Sequence, residues 1–413
     1  MVVAANMTVS SASGKRFFVD GHVHIGRAAL GEPIKISAAP GLTVMGIIEH
    51  AAQAKGIDMI GLIDAVATPV MRDLRKLVDT GVLHSVPGGG LSWEGRVTLL
   101  LGAEVEVGGP HGGAAHFGVF FPDLETLGAF ALWLGARQTN PNLSSQRALR
   151  TTATALAAEV QGLGGMVIVN HAFTPHKGLY GTCVTHMADM LPPSLVTAVE
   201  LGLSADSEMA DRISELASQT FVTNSDAHSL PKIAREYHIV RLQEASFQAY
   251  RRALLREGDD RIEANVGLWP PLGKYHLSAC QNCGHLWKES AHGCPLCGSK
   301  RFAMGVWNRL QDVADLDTAQ SPLHRPPYRH QVPLEFVPGL GPAKRRSLLA
   351  AFKTEMNILN DVSVDDLIHV VGEKLALQIE LARTGNMTLI AGGAGRYGKV
   401  VGSSPVLSHP CVT

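Results

Sequence analysis

The sequence predicts an α/β protein, a sheet or barrel of parallel strands alternating with helices, followed by a cysteine-rich unit and a small all-helical unit. Three observations lead there. Short apolar runs alternate with helix-like stretches over 17–241, four cysteines crowd into 280–297, and a Gly-x-Gly hairpin at Gly339 and Gly341 opens a helix with cations in its first turn.

The 413 residues, at roughly 150 per domain, suggest two or three domains. With 46% hydrophobic and 18% charged residues and a mean hydropathy of +0.10, wholesale disorder is excluded. Lys+Arg 36 against Asp+Glu 37 gives a net charge of −1, which excludes a uniformly basic coat but leaves room for charge segregated along the chain. No run of apolar residues is long enough to cross a membrane, and 1–16 lacks the apolar core of a signal peptide. The expected compartment is the cytoplasm.

The runs FFVDGHVHI, MIGLID, VTLLLGAEVEV, HFGVFF, GMVIVNHA, VTAVELGL and TFVTNSDAH are each bounded by Gly, Pro, Asn or Asp and read as strands. Helical patterns such as SEMADRISELASQ lie between several of them. Several runs end in a group able to bind a metal: His22 and His24, Asp64, Glu104, His171, and Asp226 with His228. In a barrel of parallel strands these ends meet on one face, so the seven would share a pocket. A boundary is expected near 264, where NVGLWPPLGKYH breaks the alternation. The expected division is a barrel over 1–264, the cysteine unit over 265–314, a linker over 315–332, the helical unit over 333–385 and a flexible Gly-rich tail over 386–413.

His22 and His24 alternate around Val23, which on a strand turns both imidazoles to one side, with Asp20 on that side as well. Asp226 and His228 repeat the spacing at another strand end. Glu104 closes an apolar run, and a carboxylate can bridge two cations through its two oxygens. Glu106 is read as a solvated strand end. His116 is ambiguous because it would start its strand instead of ending it. Mixed His and carboxylate ligands suit Zn²⁺, Mn²⁺ or Fe²⁺. The cluster is expected to hold two or three divalent ions, with Zn²⁺, Mn²⁺ or Mg²⁺ as candidates. Such ions lower the pKa of a water and stabilise attacking and leaving oxygens at phosphorus, so phosphate-ester hydrolysis is the chemistry expected. No GxxxxGK[ST] loop and no sign of a nicotinamide cofactor is present.

CQNCGHLWKESAHGCPLCG carries two CxxC pairs, Cys280/Cys283 and Cys294/Cys297, each followed by Gly. In a reducing compartment this spacing reads as a closed Cys₄ zinc ribbon with one structural Zn²⁺. The plainer alternative is four unligated buried thiols. In FVPGLGPAKRRSLLAAF, Gly339 and Gly341 let a backbone approach a phosphate closely, while Lys344, Arg345 and Arg346 lie in the first turn of the helix that follows. This looks like a helix-hairpin-helix binder of DNA backbone, with a degenerate second copy at HVVGEKLALQIELA. Over 300–353, nine Lys/Arg oppose four Asp/Glu, a local excess of 9 − 4 = +5. The alternative is a helical bundle with a solvated basic face.

DGHVHIG, LID, GAEVEV, VNHAF and NSDAHS together resemble the successive motifs of the polymerase and histidinol phosphatase (PHP) superfamily. That resemblance implies a distorted (β/α)7 barrel and makes His22, His24, Asp64, Glu104, His171, Asp226 and His228 metal ligands, with His116 plausible. Many members have His directly after the Asp of the second motif; here Ala65 stands there, which puts the metal count in doubt. With the cysteine unit and the hairpin included, the whole chain is similar to endonuclease Q, in particular its bacterial branch. The resemblance implies metal-dependent cleavage 5′ of a deaminated base (hypoxanthine, uracil or xanthine) or of an abasic site, in double- or single-stranded DNA.

Asp226, Glu104 and His171 are the expected catalytic residues, with Asp226 orienting the attacking water. The loop after His171 is the candidate lesion pocket, with Phe173, His176, Lys177 and Tyr180. Two rivals are a small-molecule phosphatase, which would leave the cysteine and basic units without a task, and a DNA-binding scaffold that has lost catalysis, for which Ala65 is the support.

Overall fold

The computed structural model describes residues 14–286, 293–393 and 396–402. Among the described residues, eleven strands precede the cysteine group. They are β1 (Lys15–Val23), β2 (Met59–Leu62), β3 (His84–Ser85), β4 (Leu91–Trp93), β5 (Val97–Gly108), β6 (Ala114–Phe121), β7 (Met166–Val169), β8 (Ala198–Glu200), β9 (Phe221–Val222), β10 (Tyr237–Leu242) and β11 (Arg261–Gly267). After them come β12 (Ala279–Cys280), β13 (Phe302–Ala303), β14 (Tyr328–His330), β15 (Thr388–Ile390) and β16 (Lys399–Gly402). The main sheet runs β14-β11-β10-β1-β2-β5-β6-β7-β8-β9, with β4 and β3 added beside β5. Its far end returns onto its middle: Val23 bridges Ala227 in parallel, and His24 N–H donates to Ala227 O at 3.1 Å. The sheet is therefore curled.

Strands β2 and β7 are buried along their whole length, as their unbroken apolar runs require of strands covered on both faces. Helices Thr68–Asp79, Leu124–Gly135, Ala153–Gly162 and Phe247–Leu255 flank the sheet. Side-chain caps start three of them: Asp123 accepts from Glu125 N and Thr126 N, Thr152 from Ala155 N, and Ser246 from Ala249 N.

The expected all-parallel order does not hold. The pairs β1·β2, β2·β5, β7·β8 and β8·β9 are parallel, but β6 is antiparallel to both β5 and β7, and β10 to β1 and β11. The 109–113 turn joining β5 to β6 is too short for a crossover helix, so the chain can only double back. Strand β11 straddles the boundary expected at 264, and β14, inside the expected linker, pairs in parallel with β11 at the sheet edge. Within the expected tail, β15 pairs antiparallel with β16, and Gly392 N–H and Gly398 N–H donate to Pro271 O and Leu272 O at 2.7 and 3.0 Å. Residues 403–413 of that tail, with Cys411, lie outside the described residues.

The C-terminal unit packs helices Pro342–Phe352, Glu355–Asn360, Val364–Val371 and Glu373–Arg383 around Leu348, Met356, Leu367, Leu375 and Ile379. What precedes its hairpin is a single 3₁₀ turn, Leu334–Phe336. Among the described residues no helix is long and apolar enough to cross a membrane.

Candidate functional site

The curl brings His22, His24, Glu104, His116, His171, Asp226 and His228 together at one end of the sheet. Three overlapping groups of ligand atoms form there: His22/His24/Glu104, His24/Asp226/His228 and Glu104/His116/His171, each within 4.8 Å. Glu104 is the hub. Its Oε1 lies 3.0 Å from His116 Nδ1, 3.4 Å from His171 Nε2 and 3.5 Å from His22 Nε2, and its Oε2 lies 3.7 Å from His24 Nε2. Asp226 Oδ1 stands 3.4 Å from His24 Nε2, 3.6 Å from His22 Nε2 and 3.5 Å from His228 Nδ1.

His116 joins this face because β6 runs antiparallel, so the start of β6 lies beside the end of β5, with His116 opposite Glu106. Strand direction thus brings a histidine that starts its strand to the same end of the sheet as Glu104. His171 and Asp226 both take left-handed backbone conformations, φ 32° and 47°, which non-glycine residues rarely adopt. Asp20 does not share the cluster. A register shift between Asp20 and Val23 breaks the alternation, and its carboxylate accepts from Ser225 N and Ala234 N at 3.0 and 2.8 Å.

The outer nitrogens of three imidazoles are each occupied. His22 Nδ1 faces Glu200 Oε2 at 3.0 Å, His24 Nδ1 faces Asp64 Oδ2 at 3.0 Å, and His171 Nδ1 faces Thr174 Oγ1 at 3.2 Å. A carboxylate can only accept, so in neutral His22 and His24 the hydrogen sits on Nδ1 and the Nε2 lone pair points inward. Asp64, expected among the ligands, thus stands behind His24, where it also accepts from Ile25 N at 2.7 Å and from Ser144 Oγ.

The residues fit a divalent cation. His116 Nδ1 is buried and has no hydrogen-bond partner among the described residues, although it lies 3.0 Å from Glu104 Oε1, and is thus an orphaned polar atom that a cation would satisfy. Separations of 3.4–3.7 Å suit atoms arranged around one ion at about 2.1 Å. Burial works against charge at Glu104, yet His116 and Lys35 beside it hold its carboxyl well below the usual range. Asp226 is likewise held well below its usual range by His24 and His22, against burial. Both stay ionised, as cation ligands must.

Two participants escaped the sequence reading. Glu200 ends β8, the same strand-exit position used to select the others, so its signal was present. Lys35 lies in the loop after His24 and donates to Glu104 Oε2 at 3.0 Å; no spacing pointed to it. Ala65 is buried, with its N–H donating to Gly102 O at 2.9 Å.

The lesion-pocket expectation is corrected in part. Phe173 and Tyr180 are buried and stacked on each other, centroids 5.4 Å apart, and the Tyr180 hydroxyl donates to Glu215 at 2.9 Å. Both are core residues because this loop turns back under the sheet end. His176 and Lys177 are exposed, His176 lying edge-on to Tyr275 at 4.8 Å.

The four thiols of Cys280, Cys283, Cys294 and Cys297 also cluster within 4.8 Å. Sγ atoms of Cys280 and Cys297, and of Cys283 and Cys294, lie 3.6 Å apart. Each CxxC bends through a glycine whose N–H donates back to the first cysteine, Gly284 to Cys280 O at 2.9 Å and Gly298 to Cys294 O at 2.8 Å. In the helical unit, Gly339 takes φ +81°, and a side chain there or at Gly341 would meet open space. Lys344 and Arg346 are exposed, whereas Arg345 pairs with Glu355. The local basic excess is also partly spent inside the molecule, since Arg325 forms a buried pair with Asp211 at 2.8 Å.

No protein-family model matches the chain. Protein YqxK of Bacillus subtilis (strain 168), itself uncharacterised, is 42% identical over 388 residues, 94% of this chain and 99% of that one. The uncharacterised MJ0043 of Methanocaldococcus jannaschii is 32% identical over 260 residues, 56% of this chain but 31% of that protein. Among solved structures, the lesion-specific endonuclease PfuEndoQ from Pyrococcus furiosus superposes with a TM-score of 0.81 at 28% identity, covering 94% of this chain and 95% of that one. Endonuclease Q in complex with a 27-mer duplex carrying an abasic lesion at the active site gives a TM-score of 0.81 at 27% identity, covering 94% and 96%. The chain belongs to the endonuclease Q family.

Proposed function

We propose that this protein is a DNA repair endonuclease that hydrolyses the phosphodiester 5′ of a deaminated base or abasic site at a multinuclear metal centre. The observation that carries the reading is the convergence of three ligand groups on Glu104 and His24 within a fold that matches, along nearly its whole length, an endonuclease bound to an abasic duplex.

In this reading His22, His24, Glu104, His116, His171, Asp226 and His228 hold two or three divalent ions. Those ions would lower the pKa of a water and offset charge on the attacking and leaving oxygens at phosphorus. Asp64, Glu200 and Thr174 fix the rings of His24, His22 and His171. Asp226 is 30% exposed, whereas Glu104 is closed off, so Asp226 faces the side from which DNA arrives and is placed to orient the attacking water. The Cys₄ cluster is a zinc ribbon. Gly339, Gly341, Lys344 and Arg346 form a helix-hairpin-helix contact to the DNA backbone, in the cytoplasm or on the nucleoid, and His176 and Lys177 lie along the lesion's path.

The test is nicking of duplexes that carry one hypoxanthine, uracil or abasic site, with Mg²⁺, Mn²⁺ or Zn²⁺ supplied in turn. Wild type is expected to cut 5′ of the lesion and Asp226→Ala is not. Binding without cutting under every metal would instead favour the scaffold reading.

A further inference from the structure

Beside the open side of the metal cluster the chain carries an exposed aliphatic side chain on a hydrogen-bonded backbone segment. Asp226 and His228 are 30% and 34% exposed, while His22, His24 and Glu104 are closed off, so substrate reaches the cluster past the first two. The five residues 35–39 lie beside that opening, touching residues of the cluster at both ends. At one end Lys35 donates to Glu104 Oε2 at 3.0 Å, and at the other Ala39 N–H donates to His228 O at 2.8 Å. Between them Ile36 is 81% exposed.

The strand of loop under Ile36 is pinned from several directions. Lys35 N–H donates to Ile25 O at 3.0 Å, Ile34 N–H to Gly26 O at 3.0 Å and Ala38 N–H to Lys35 O at 3.0 Å, while Ile34 itself is buried. Gly26 makes the seat: a Cβ there would lie 2.1 Å from Ala39 O, so only glycine lets the segment lie this close over the ligand-bearing strand. An exposed aliphatic side chain alone is unremarkable on a protein surface. A β-branched one with few side-chain rotamers, held on a pinned segment beside the open side of the cluster, is placed to meet nucleic acid that enters there.

We propose that Ile36 is a wedge that enters the base stack beside the target nucleotide and fills the gap left when that nucleotide turns out toward the metal centre. The inference rests on the endonuclease reading above. Chemistry on a nucleotide inside a duplex requires it to leave the stack, and inserted Ile or Leu side chains are a recurrent way to meet the unstacking cost. The wedge is needed for a paired, stacked lesion and is dispensable for one already unpaired. Lys35, next in the chain, couples the wedge to Glu104, so insertion and phosphate placement are set by one short segment.

The experiment compares wild type with Ile36→Ala, Ile36→Ser and Ile36→Leu on the same lesion in a full duplex and inside a pre-opened bubble. Since Ile36 packs against nothing in the core, these variants should fold and melt as wild type does. For Ile36→Ala and Ile36→Ser the duplex-to-bubble rate ratio is expected to fall about tenfold, with bubble cleavage kept, and Ile36→Leu should behave as wild type. A 2-aminopurine beside the lesion should brighten on binding wild type and stay dim with Ile36→Ala. If wild type cuts and Ile36→Ala keeps the wild-type ratio, the wedge alone is overturned. If wild type cuts neither substrate, the endonuclease reading falls and the wedge with it.

Discussion

Lys55 Nζ and Glu355 Oε2 form an ion pair 2.8 Å apart, buried where the sheet's helical flank meets the C-terminal unit, their side chains 3% and 5% exposed. Lys55 also donates to Pro231 O at 2.8 Å, in the loop that follows His228, and Glu355 accepts from Arg345 as well. Through Glu355, which also holds Arg345 of the hairpin-bearing helix, the buried pair thus ties that helix to the segment following His228. Removing one partner strands the other charge out of water. Glu355→Ala should cost about 3 kcal/mol of stability, and the double change Lys55→Met with Glu355→Leu should recover most of it. Denaturant unfolding of the three proteins decides this.

Arg345 is engaged by Glu355, but Lys344 and Arg346 are exposed. Neutralising a phosphate contact lowers the salt dependence of DNA binding by about one unit of slope. Lys344→Ala and Arg346→Ala should each show that loss in binding titrations at several salt concentrations. Arg345→Ala should leave the slope near wild type while lowering thermal stability.

Glu200 touches His22 Nδ1 and supports the His171 backbone, its Oε1 accepting from His171 N at 3.1 Å. Groups that orient metal-binding histidines typically matter 10–100-fold for affinity. Glu200→Ala should therefore weaken divalent-ion binding by about that factor, measured by titration of the protein with the metal alone. Unchanged affinity would remove Glu200 from the site.

Burial pushes the Glu236 carboxyl up to about 8, against a hydrogen bond from Leu268 N–H, and its Oε2 has no partner among the described residues. A folded pKa raised above the unfolded value means that the proton is held in the native state. The stabilising contribution is full below about 4.5, is lost progressively as pH rises toward about 8, and is absent above it. Glu236→Gln should flatten that decline, making the variant more stable than wild type at pH 8 and little different at pH 4. Melting temperatures across this range give the answer.

Metal analysis tests the four thiols. Wild type should carry one tightly held zinc that Cys294→Ser loses, with reduced protease resistance around 280–303. Retention of that zinc by the variant would point to a different holder.

Much of the site was legible because its chemistry is local. The HxH around Val23, the Asp226/His228 pair, the carboxylate at the end of an apolar run and the two CxxC pairs each need only neighbours in the chain, and the order of the motifs named the family. Strand polarity was not legible, since an apolar run reads the same in either direction. That is why the chain alone did not place His116 beside Glu104, which follows from β6 running backward along β5. Phe173 and Tyr180 were misplaced for a related reason: aromatic character alone does not say whether a loop turns outward or folds beneath the sheet.

The sequence by itself determined which groups could bind metal, that they fall into two separate sets, and that a hairpin with flanking cations follows them, because side-chain identity and short spacing carry that information. Only the tertiary structure decided that Asp64 and Glu200 stand behind the histidines, that Arg345 and Arg325 are spent on internal pairs, and that Lys35 reaches Glu104. Those outcomes depend on how a curled mixed sheet brings distant segments within a few ångströms, and hydrogen bonds and ion pairs act only over that range.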